Sequence, residues 1–491
     1  MKPLASSLRM ARIDQEAQKR FRIPGLLLME QAGTKGFNAC AQMFPEKLEH
    51  APQLLFIAGR GNNGGDALVM AREAFLAGYS GVRFSILPGT PNESVVLHRD
   101  ICRNLGIEEI PYKQLAEVLG QSGEVIFDGI TGTGLSSPLG GTAAEAVQMI
   151  NRTKSFVVSI DLPSGIYEEF AVQDLSVWAQ FTLAMGMIKR SCVLPAGRSR
   201  CGRIICLNPG FPPELLSPEP GEGMLLDAHD ARLPAISTDS YKNKRGHAAV
   251  FAGSPGYTGA ARLAAQGAMS TRAGLVTLFC DPEIYPVVAP GLWESIICKS
   301  GEMTENASYT SLLCGPGWGR DPSRTEVLRK LLDTGLPGVI DADGLYALSR
   351  IGTVNLQDRM VLTPHPGEFR MLQPDEGSLT EQLKACSRRY RAWVVYKSHM
   401  TLIAGPEGTL FVAEGLNPAM GTAGSGDVLS GVIAGLLAEG LSLEDAACKG
   451  VLLHQLAGSI AAERWGWFSS HQLFGPLMEC IRDSSAPDES A

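Results

Sequence analysis

Two short glycine-rich stretches of this sequence each end in an aspartate where an apolar segment begins. The first is GRGNNGGD, residues 59–66, and the second is GTAGSGD, residues 421–427. A helix N-terminus carries unpaired N–H groups and partial positive charge, so it favours a phosphate. An aspartate at that place either caps the helix or serves as a base beside a bound anion.

The second stretch has the residue types that phosphoryl transfer needs. Gly424, Ser425 and Gly426 would present successive N–H groups to a transferring phosphoryl group. Asp427 would then lie within reach of the attacking hydroxyl, as a general base. The sequence contains no GxxxxGK[ST] motif, so a P-loop nucleotide site is excluded.

Polar side chains also follow three predicted strands near the start of the chain. These strands are QLLFIAG (53–59), EVIFDG (124–129) and FVVSID (156–161). Because parallel strands end at one edge of a sheet, ligands bind beyond their carboxyl ends. The residues brought to that edge are Asn62, Asn63, Asp66, Asp128, Asp161 and Ser164.

Two ligand-binding interpretations of this edge compete with a third, in which the polar residues only stabilise turns. GRGNNG matches the GxGxxG dinucleotide fingerprint, but the next strand ends in SILPG without the acid that holds the ribose, so a standard Rossmann site is not expected. The second interpretation assigns oxygen atoms of Asn63, Asp128 and Ser164 to a hard cation and glycine N–H groups to phosphate. In the third, Asp128 and Asp161 only cap turns. Three strand ends of similar chemistry favour a shared site.

The elements that must position these residues alternate between strand and helix, which predicts an α/β fold with mostly parallel sheets covered on both faces. A Pro- and Gly-rich segment at 208–223 marks a domain boundary, beyond which the alternation resumes. We therefore predict a three-layer, Rossmann-like α/β/α domain over residues 1–215 and a second α/β domain over residues 224–491.

Loops after the strands of the second domain carry further candidates. They are GSPGYTGAARLAA (253–265), GPGWG (315–319), DADGL (341–345), TPHPGE (363–368) and KSHMT (397–401). His365 stands between two prolines, so it is excluded from a helix interior and is expected on an exposed rim.

Composition narrows the function classes. The 491 residues are 45% apolar and 19% charged, with a formal net charge of −8 and no dense basic run, which argues against a nucleic-acid partner. The eleven cysteines include no CxxC pair, a usage typical of reduced thiols. No signal peptide and no apolar run long enough to span a membrane is found, so a cytoplasmic location is expected.

Taken in order, these motifs resemble two enzyme families fused in one chain. LLLMEQAG, GRGNNGGDALVMAR, DGITGTGL and DLPSG resemble the NAD(P)H-hydrate epimerases. The motifs of the second domain, closing with GTAGSGDVLSG, resemble the ADP- or ATP-dependent NAD(P)H-hydrate dehydratases of the ribokinase-like superfamily. The resemblance implies repair of hydrated NADH and NADPH: epimerisation of R and S hydrates, then dehydration of the S hydrate through a phosphorylated intermediate.

Site residues follow from the resemblance by matching positions. In the first domain it implies K⁺ ligands Asn63, Asp128 and Ser164, and acid/base chemistry at Asp161 with Lys189 assisting. In the second it implies Asp427 as catalytic base and Mg²⁺ with ADP or ATP. The implied substrate contacts are Asn62, Asn63, Gly64, Gly65, Asp66, Gly132, Thr133, Gly134, Leu135, Ser136, Ser137, Pro138 and Asp161, and for dehydration Ala260 or Ala261, Gly317, His365 and Asp427. The implied nucleotide contacts are Lys397, Ser398, His399, Met400, Thr401, Gly424, Ser425 and Gly426.

Some positions depart from the family patterns. Ser136 and Ser137 stand where the epimerases commonly have a basic residue, which leaves the phosphate contact there unassigned, and Ser398 replaces a glycine after Lys397. Two alternatives stay open at this point: a ribokinase-like small-molecule kinase, and a first domain that only binds or scaffolds. We also expect a homo-oligomer that assembles through the opening helices.

Overall fold

The computed structural model describes residues 1–51, 53–119, 124–292, 296–298, 308–373 and 377–485. The chain divides into two compact units, an N-terminal unit of residues 3–223 and a C-terminal unit of residues 224–491 with residues 1–2. Each unit is an α/β structure. No helix in the described part of the chain is both long and apolar enough to cross a membrane.

The N-terminal unit contains strands and helices in alternation. Its strands are β1 (Lys2–Ala5), β2 (Leu54–Ala58), β3 (Val82–Ile86), β4 (Glu108–Glu109), β5 (Val125–Gly129), β6 (Phe156–Ile160), β7 (Phe181–Met185), β8 (Ile188–Lys189) and β9 (Arg203–Leu207). Its helices are α1 (Ser7–Lys19), α2 (Gly25–Met43), α3 (Pro45–Glu49), α4 (Asn62–Leu76), α5 (Glu93–Asn104), α6 (Leu115–Val118), α7 (Gly141–Arg152), α8 (Arg190–Val193) and α9 (Pro195–Arg198).

The main sheet of the N-terminal unit is parallel and buried on both faces. Within the described residues its order is β4-β3-β2-β5-β6-β7-β9. Along β2, Leu54 and Phe56 pack into one apolar cluster with α2 and α4, whereas Leu55 and Ile57 pack into another with α7. Alternate residues of a strand point to opposite faces, so near-continuous apolar sequence is what a doubly covered strand requires.

The C-terminal unit repeats the alternation with different elements. Its strands are β10 (Met224–Leu225), β11 (His247–Phe251), β12 (Leu275–Phe279), β13 (Ile296–Cys298), β14 (Ser311–Cys314), β15 (Gly338–Ile340), β16 (Met360–Leu362), β17 (Trp393–Tyr396), β18 (Met400–Ala404) and β19 (Leu410–Glu414). Its helices are α10 (Thr258–Met269), α11 (Tyr285–Val288), α12 (Ser323–Asp333), α13 (Asp343–Ile351), α14 (Pro366–Leu372), α15 (Leu379–Tyr390), α16 (Ser425–Ala438), α17 (Leu443–Trp465) and α18 (Phe474–Ser484). Short 3₁₀ turns lie at Tyr112–Gln114, Pro213–Leu216, Ala228–Ala231, Ala289–Gly291, Pro418–Met420 and Ser470–Leu473.

The sheet of the C-terminal unit is mixed rather than wholly parallel. Its strands run β13-β12-β11-β14-β15-β16-β17-β18-β19-β10 in the described structure. Those from β13 to β17 pair in parallel, and β17, β18 and β19 pair antiparallel. The small residues of α10 and α16 allow these helices to approach closely: a Cβ at Gly431 would lie 2.2 Å from the carbonyl oxygen of Ala264.

Candidate active sites

The first candidate site lies where the strand order of the N-terminal sheet reverses, between β2 and β5. The chain builds the sheet outward from β2, through β3 and β4 on one side and through β5 and β6 on the other. The loops after β2 and β5 therefore diverge and leave a crevice at the carboxyl edge. GRGNNGGD follows β2, and α4 already begins at Asn62, so most of this motif is the first turn of a helix.

Asp128 is a fully buried carboxylate at this edge. It accepts hydrogen bonds from the Ser159 hydroxyl (2.8 Å), from the Ser164 N–H (2.9 Å) and from the Ser164 hydroxyl (2.5 Å). Burial raises the pKa of Asp128, and the hydrogen bonds from Ser164 and Ser159 oppose that rise. The structure thus joins the ends of β5 and β6 through one carboxylate.

Asn63 brings an unsatisfied oxygen to the same place. Its Nδ2 donates to the carbonyl of Thr131 at 3.0 Å, and the N–H of Thr131 donates to Ser164 Oγ at 2.8 Å. The Asn63 Oδ1 atom is buried and has no hydrogen-bond partner in the described structure. A buried polar atom without a partner is costly, so this oxygen needs a cation or a donor. Together with the Asp128 and Ser164 oxygens it supplies oxygen donors of the kind that hard cations prefer.

Asp161 and Lys189 form an ion pair inside the site. Lys189 Nζ contacts Asp161 Oδ1 and donates to the carbonyl of Met185 at 2.7 Å. The N–H of Thr133 donates to Asp161 Oδ2 at 3.3 Å. Asp161 has a φ of +71°, a left-handed backbone conformation that costs energy for a residue with a side chain. The carboxylate is therefore aimed by an unusual turn directly after β6.

These groups open onto a cavity of about 850 Å³ within the N-terminal unit. Predicted substrate contacts on its wall are Asn62, Asn63, Asp66, Gly132, Thr133, Gly134, Leu135 and Asp161. Gly64, Gly65, Ser136, Ser137 and Pro138 are not among its lining residues. The two glycines have a packing reason instead, because a Cβ would lie 2.1 Å from Gly59 O at Gly64 and 2.4 Å from Met29 Sδ at Gly65.

The cavity wall also includes residues that the sequence argument missed. Asp14 and Gln18 come from α1, with the Gln18 amide donating to Asp14 Oδ2 at 2.7 Å. Arg60, inside the glycine-rich motif itself, lines the wall as well. Burial and the nearby charge of Asp161 raise the pKa of Asp66 well above its usual range. The amphipathic pattern of α1 gave no indication that its polar residues face a ligand.

The second candidate site lies where the strand order of the C-terminal sheet reverses. There β11 and β14 are neighbours, and the loops that follow them diverge. Gly317, in the loop after β14, has a φ of +57°, and a Cβ there would lie 2.8 Å from the Cβ of Ala260. Of the two alternatives for a substrate contact in α10, Ala260 is partly exposed beside Gly317, whereas Ala261 is fully buried in the core.

Asp427 lies in the first turn of α16, inside a cluster of charged groups. Burial raises its pKa to about 7, and the negative charge of Asp341 adds to the rise. Lys397 Nζ donates to Asp341 Oδ1 at 2.7 Å, and Asp341 is almost wholly buried. Burial lowers the pKa of Lys397, but the charges of Asp341 and Glu368 outweigh it, so the pKa is raised overall. The arrangement supplies a carboxylate that gains and loses a proton near neutral pH.

His365 caps α14 at the exposed rim of this cluster. Its Nδ1 accepts the N–H of Gly367 at 2.9 Å, and Glu368 returns the contact by accepting the N–H of His365 at 2.9 Å. The imidazole is 57% exposed, as the flanking prolines predicted. Burial raises the pKa of Glu368.

The glycine-rich loop before α16 differs in one respect from the predicted anion hole. Gly424 has a φ of +88°, and a Cβ on Gly426 would lie 3.2 Å from Lys397 Nζ. The N–H of Ser425, however, donates to the carbonyl of Thr422 at 3.3 Å. In this structure the three successive N–H groups are therefore not all available.

The predicted nucleotide segment Lys397–Thr401 is a loop that becomes a strand at its last two residues. Met400 and Thr401 belong to β18 and are buried, whereas His399 is exposed and its carbonyl accepts the N–H of Gly415 at 3.0 Å. The Ser398 hydroxyl donates to the carbonyl of Met400 at 2.6 Å. A cavity of about 220 Å³ adjoins this segment, lined by Glu414, Gly415, Leu416, Asn417, Met420, Gln455 and Ser459.

Comparison with known proteins identifies the family. The bifunctional NAD(P)H-hydrate repair enzyme Nnr of Moorella thermoacetica is 32% identical over 499 residues, covering 94% of this chain and 93% of that protein. The chain belongs to the bifunctional NAD(P)H-hydrate repair enzymes. The repair enzyme of Coxiella burnetii is also 32% identical, over 89% of this chain and 91% of its own length. The resemblance drawn from the ordered motifs is confirmed.

The two halves of this repair enzyme match separate family models. Residues 25–191 match the YjeF-related protein N-terminus, and residues 248–477 match the NAD(P)H-hydrate dehydratase model. A ribokinase-like superfamily protein of Enterococcus faecalis superimposes with a TM-score of 0.50 at 25% identity, covering 54% of this chain and 97% of that one. The predicted fold class is confirmed, and the comparisons give no support to a small-molecule kinase.

Proposed function

We propose that this chain restores hydrated NADH and NADPH in two steps. The N-terminal unit interconverts the R and S hydrates, and the C-terminal unit dehydrates the S hydrate with ADP or ATP as phosphoryl donor. Family membership supports both activities. The observation that carries the second is Asp427, a carboxylate with a pKa of about 7 beside Lys397 at the start of a helix.

In the N-terminal site, Asp161 and Lys189 are the groups that move protons. Asp161 Oδ1 contacts the ammonium of Lys189. This pair would take the proton of the substrate hydroxyl and give one to the ring nitrogen as the bond from the hydrated carbon to that nitrogen breaks, and the reverse transfers would accompany re-formation of the bond on the opposite face of the carbon. Asn63, Asp128 and Ser164 would hold K⁺, which would fix the loops after β2, β5 and β6 and offset the buried charge of Asp128. The wall residues Asn62, Asp66 and Gly132–Leu135 would bind the substrate.

In the C-terminal site, Asp427 would accept the proton of the substrate hydroxyl. The hydroxyl oxygen forms a bond to the terminal phosphorus of the nucleotide as the bond from that phosphorus to its bridging oxygen breaks, leaving a nucleotide shorter by one phosphate. Cleavage of the bond from carbon to the ester oxygen, whose electron pair leaves with the phosphate, and loss of a proton from the neighbouring carbon restore the ring double bond. Phosphate leaves more readily than hydroxide, which explains why a nucleotide is needed. Gly317, Ala260 and His365 would bind the hydrate.

The charges around Asp427 fit a cationic cofactor. The carboxyls of Asp341, Glu368 and Asp427 each raise the proton affinity of a neighbour, and Lys397 is the cation that the described structure places among them. We propose that Mg²⁺ enters with the nucleotide and is held by Glu368, where it would neutralise phosphate charge. Lys397 and Gly426 would bind the phosphates, and the cavity beside Gln455 has the size for a nucleobase.

The experiment follows the absorbance of reduced nicotinamide. A mixture of R and S hydrates is incubated with the enzyme, K⁺, Mg²⁺ and either ADP or ATP. Full recovery faster than spontaneous epimerisation is expected, with one nucleotide preferred. Recovery that stalls at the S fraction would contradict the epimerase assignment, and no recovery with either nucleotide would contradict the dehydratase assignment.

We propose that the enzyme acts in the cytoplasm, which agrees with its dispersed cysteines. Its partners are small molecules rather than nucleic acid, given the net charge of −8. A homo-oligomer is proposed from the exposed apolar side chains of Leu8 and Leu27 on the opening helices.

A further inference from the structure

Among the charged side chains on the wall of the N-terminal cavity, the described structure shows Arg60 without a carboxylate partner. The charged residues that line it are Asp14, Arg60, Asp66, Asp161 and Lys189. Lys189 is committed to Asp161 Oδ1 and to the carbonyl of Met185. Within the described residues no carboxylate pairs with Arg60, whose side chain is exposed to the cavity.

Arg60 is held in place although it has no ionic partner. Its guanidinium and Cδ lie against Gly89: a Cβ on that residue would lie 2.5 Å from Arg60 Nη1 and 2.8 Å from Cδ. The segment containing Gly89 is fastened to the glycine-rich loop, since the Asn92 N–H donates to the Arg60 carbonyl at 2.9 Å and the Asn92 amide donates to Asn62 Oδ1 at 2.8 Å. The absence of a side chain at Gly89 leaves room for the guanidinium.

The sheet order separates Arg60 from the acid/base pair. Gly89 follows β3 and Asp161 follows β6, and the order β3-β2-β5-β6 places these strands three spacings apart, roughly 14 Å at about 4.8 Å a spacing. A dinucleotide whose hydrated ring lies at Asp161 must extend its phosphates away from the three carboxyls of the wall. The guanidinium of Arg60, which has no carboxylate partner, can bind a dianionic phosphate group there.

We infer that Arg60 binds a phosphate group of the dinucleotide. It would supply the positive charge that the epimerases commonly have at the position of Ser136 and Ser137. This inference rests on the proposed epimerase function. Two phosphate sources share this chemistry: the pyrophosphate that NADH and NADPH hydrates both contain, and the 2′-phosphate that only the NADPH hydrate has. Arg60 is a substrate-positioning residue that takes no part in proton transfer.

The test measures epimerisation by the full chain without ADP or ATP, so that dehydration is silent. The R hydrate of NADH and of NADPH is followed by chromatographic separation of the epimers, for wild type, Arg60→Gln, Arg60→Lys and Arg99→Gln. Arg99 lies on α5 outside the cavity wall and serves as the matched control. Loss of a charge-assisted hydrogen bond is expected to raise KM about tenfold or more in Arg60→Gln, with kcat nearly unchanged.

The pattern across substrates and variants decides the outcome. An equal rise in KM for both hydrates assigns the pyrophosphate, and a rise for the NADPH hydrate alone assigns the 2′-phosphate. Arg60→Lys should recover much of the affinity, and the effect should shrink as salt increases. An unchanged KM in Arg60→Gln, or a loss confined to kcat, would overturn the inference. Failure of the wild type to epimerise would instead contradict the proposed function.

Discussion

At the scale of single residues, the two aspartates proposed as catalytic should separate the two activities. Asp427→Asn removes the proposed base, so dehydration should fall by about 10²–10⁴-fold while epimerisation is retained. Asp161→Asn should do the reverse, because its carboxylate contacts Lys189 in the other unit's cavity. Each variant serves as the control for the other, with dehydration assayed on pure S hydrate. Full dehydration by Asp427→Asn would contradict the assignment.

The raised pKa of Asp427 predicts how the rate of dehydration depends on pH. A general base works only when deprotonated, so kcat/KM for dehydration should rise with pH to a plateau above about 7. After burial, the negative charge of Asp341 is the largest cause of this raised pKa, and Asp341 Oδ1 also accepts a hydrogen bond from Lys397 Nζ at 2.7 Å. Removal of its charge in Asp341→Asn should therefore move the midpoint to lower pH. A pH profile of both proteins measures this shift, and an unchanged midpoint would exclude the coupling.

At the scale of elements, the glycine-rich turn before and within α4 depends on close backbone contacts. A Cβ at Gly64 would lie 2.1 Å from Gly59 O, so the backbone of one of these two residues would have to shift. Gly64→Ala should lower the free energy of unfolding of the N-terminal unit by about 1–3 kcal/mol and impair epimerisation. Gly61→Ala is the control, because its Cβ would meet nothing within 4 Å. Thermal unfolding of both variants tests this, and equal behaviour would contradict the packing argument.

Strands and their terminal polar residues were predictable because fully buried parallel strands have continuous apolar sequence. The segments predicted at 53–59, 124–129 and 156–161 are strands over Leu54–Ala58, Val125–Gly129 and Phe156–Ile160. The exposed position of His365 was predictable from its prolines. The start of α4 was missed, since glycines have low helix propensity and only packing against Met29 and Gly59 makes them helical.

Contacts between distant segments were beyond the reach of the sequence. Nothing local shows that α1 turns Asp14 toward a cavity that is also lined by the loops after β2 and β5. The pairing of Lys397 with Asp341 joins residues 56 positions apart. The burial of Met400 and Thr401 depends on the antiparallel pairing of β18 with β17 and β19, which the predicted parallel arrangement did not include.

At the scale of the whole molecule, the opening helices cannot be removed to test assembly. Phe37 and Cys40 of α2 belong to the main core cluster of the N-terminal unit, so deletion of residues 1–45 would unfold it. Point substitutions are the better test: Leu8→Asp and Leu27→Asp change side chains that are 74% and 52% exposed. If these faces mediate assembly, gel filtration with light scattering should show a smaller mass per particle. An unchanged mass, with epimerisation intact, would contradict assembly through these helices.

Acid should destabilise the C-terminal unit through His454. This side chain is buried in α17, and burial lowers its pKa to about 4, against about 6.5 in an unfolded chain. Between these pH values the imidazole is protonated in the unfolded state but not in the folded state. The free energy of unfolding therefore decreases as pH falls from about 6.5 towards 4, by up to about 1.4 kcal/mol per pH unit. Unfolding of His454→Gln should depend less on pH in this window, whereas the exposed His471→Gln should match wild type.

The cavity of the N-terminal unit has a consequence for biosynthesis. Its wall runs in sequence from Met10 on α1 to Phe211 beyond β9, so both ends of the unit contribute to one binding site. A ribosome that adds about 5–20 residues per second must finish nearly the whole unit before the site can close. A nascent chain stalled at Asp161 already has the carboxylate proposed as the acid/base but lacks Lys189 and the last part of the wall. Epimerase activity is therefore expected to arise late and all at once during translation.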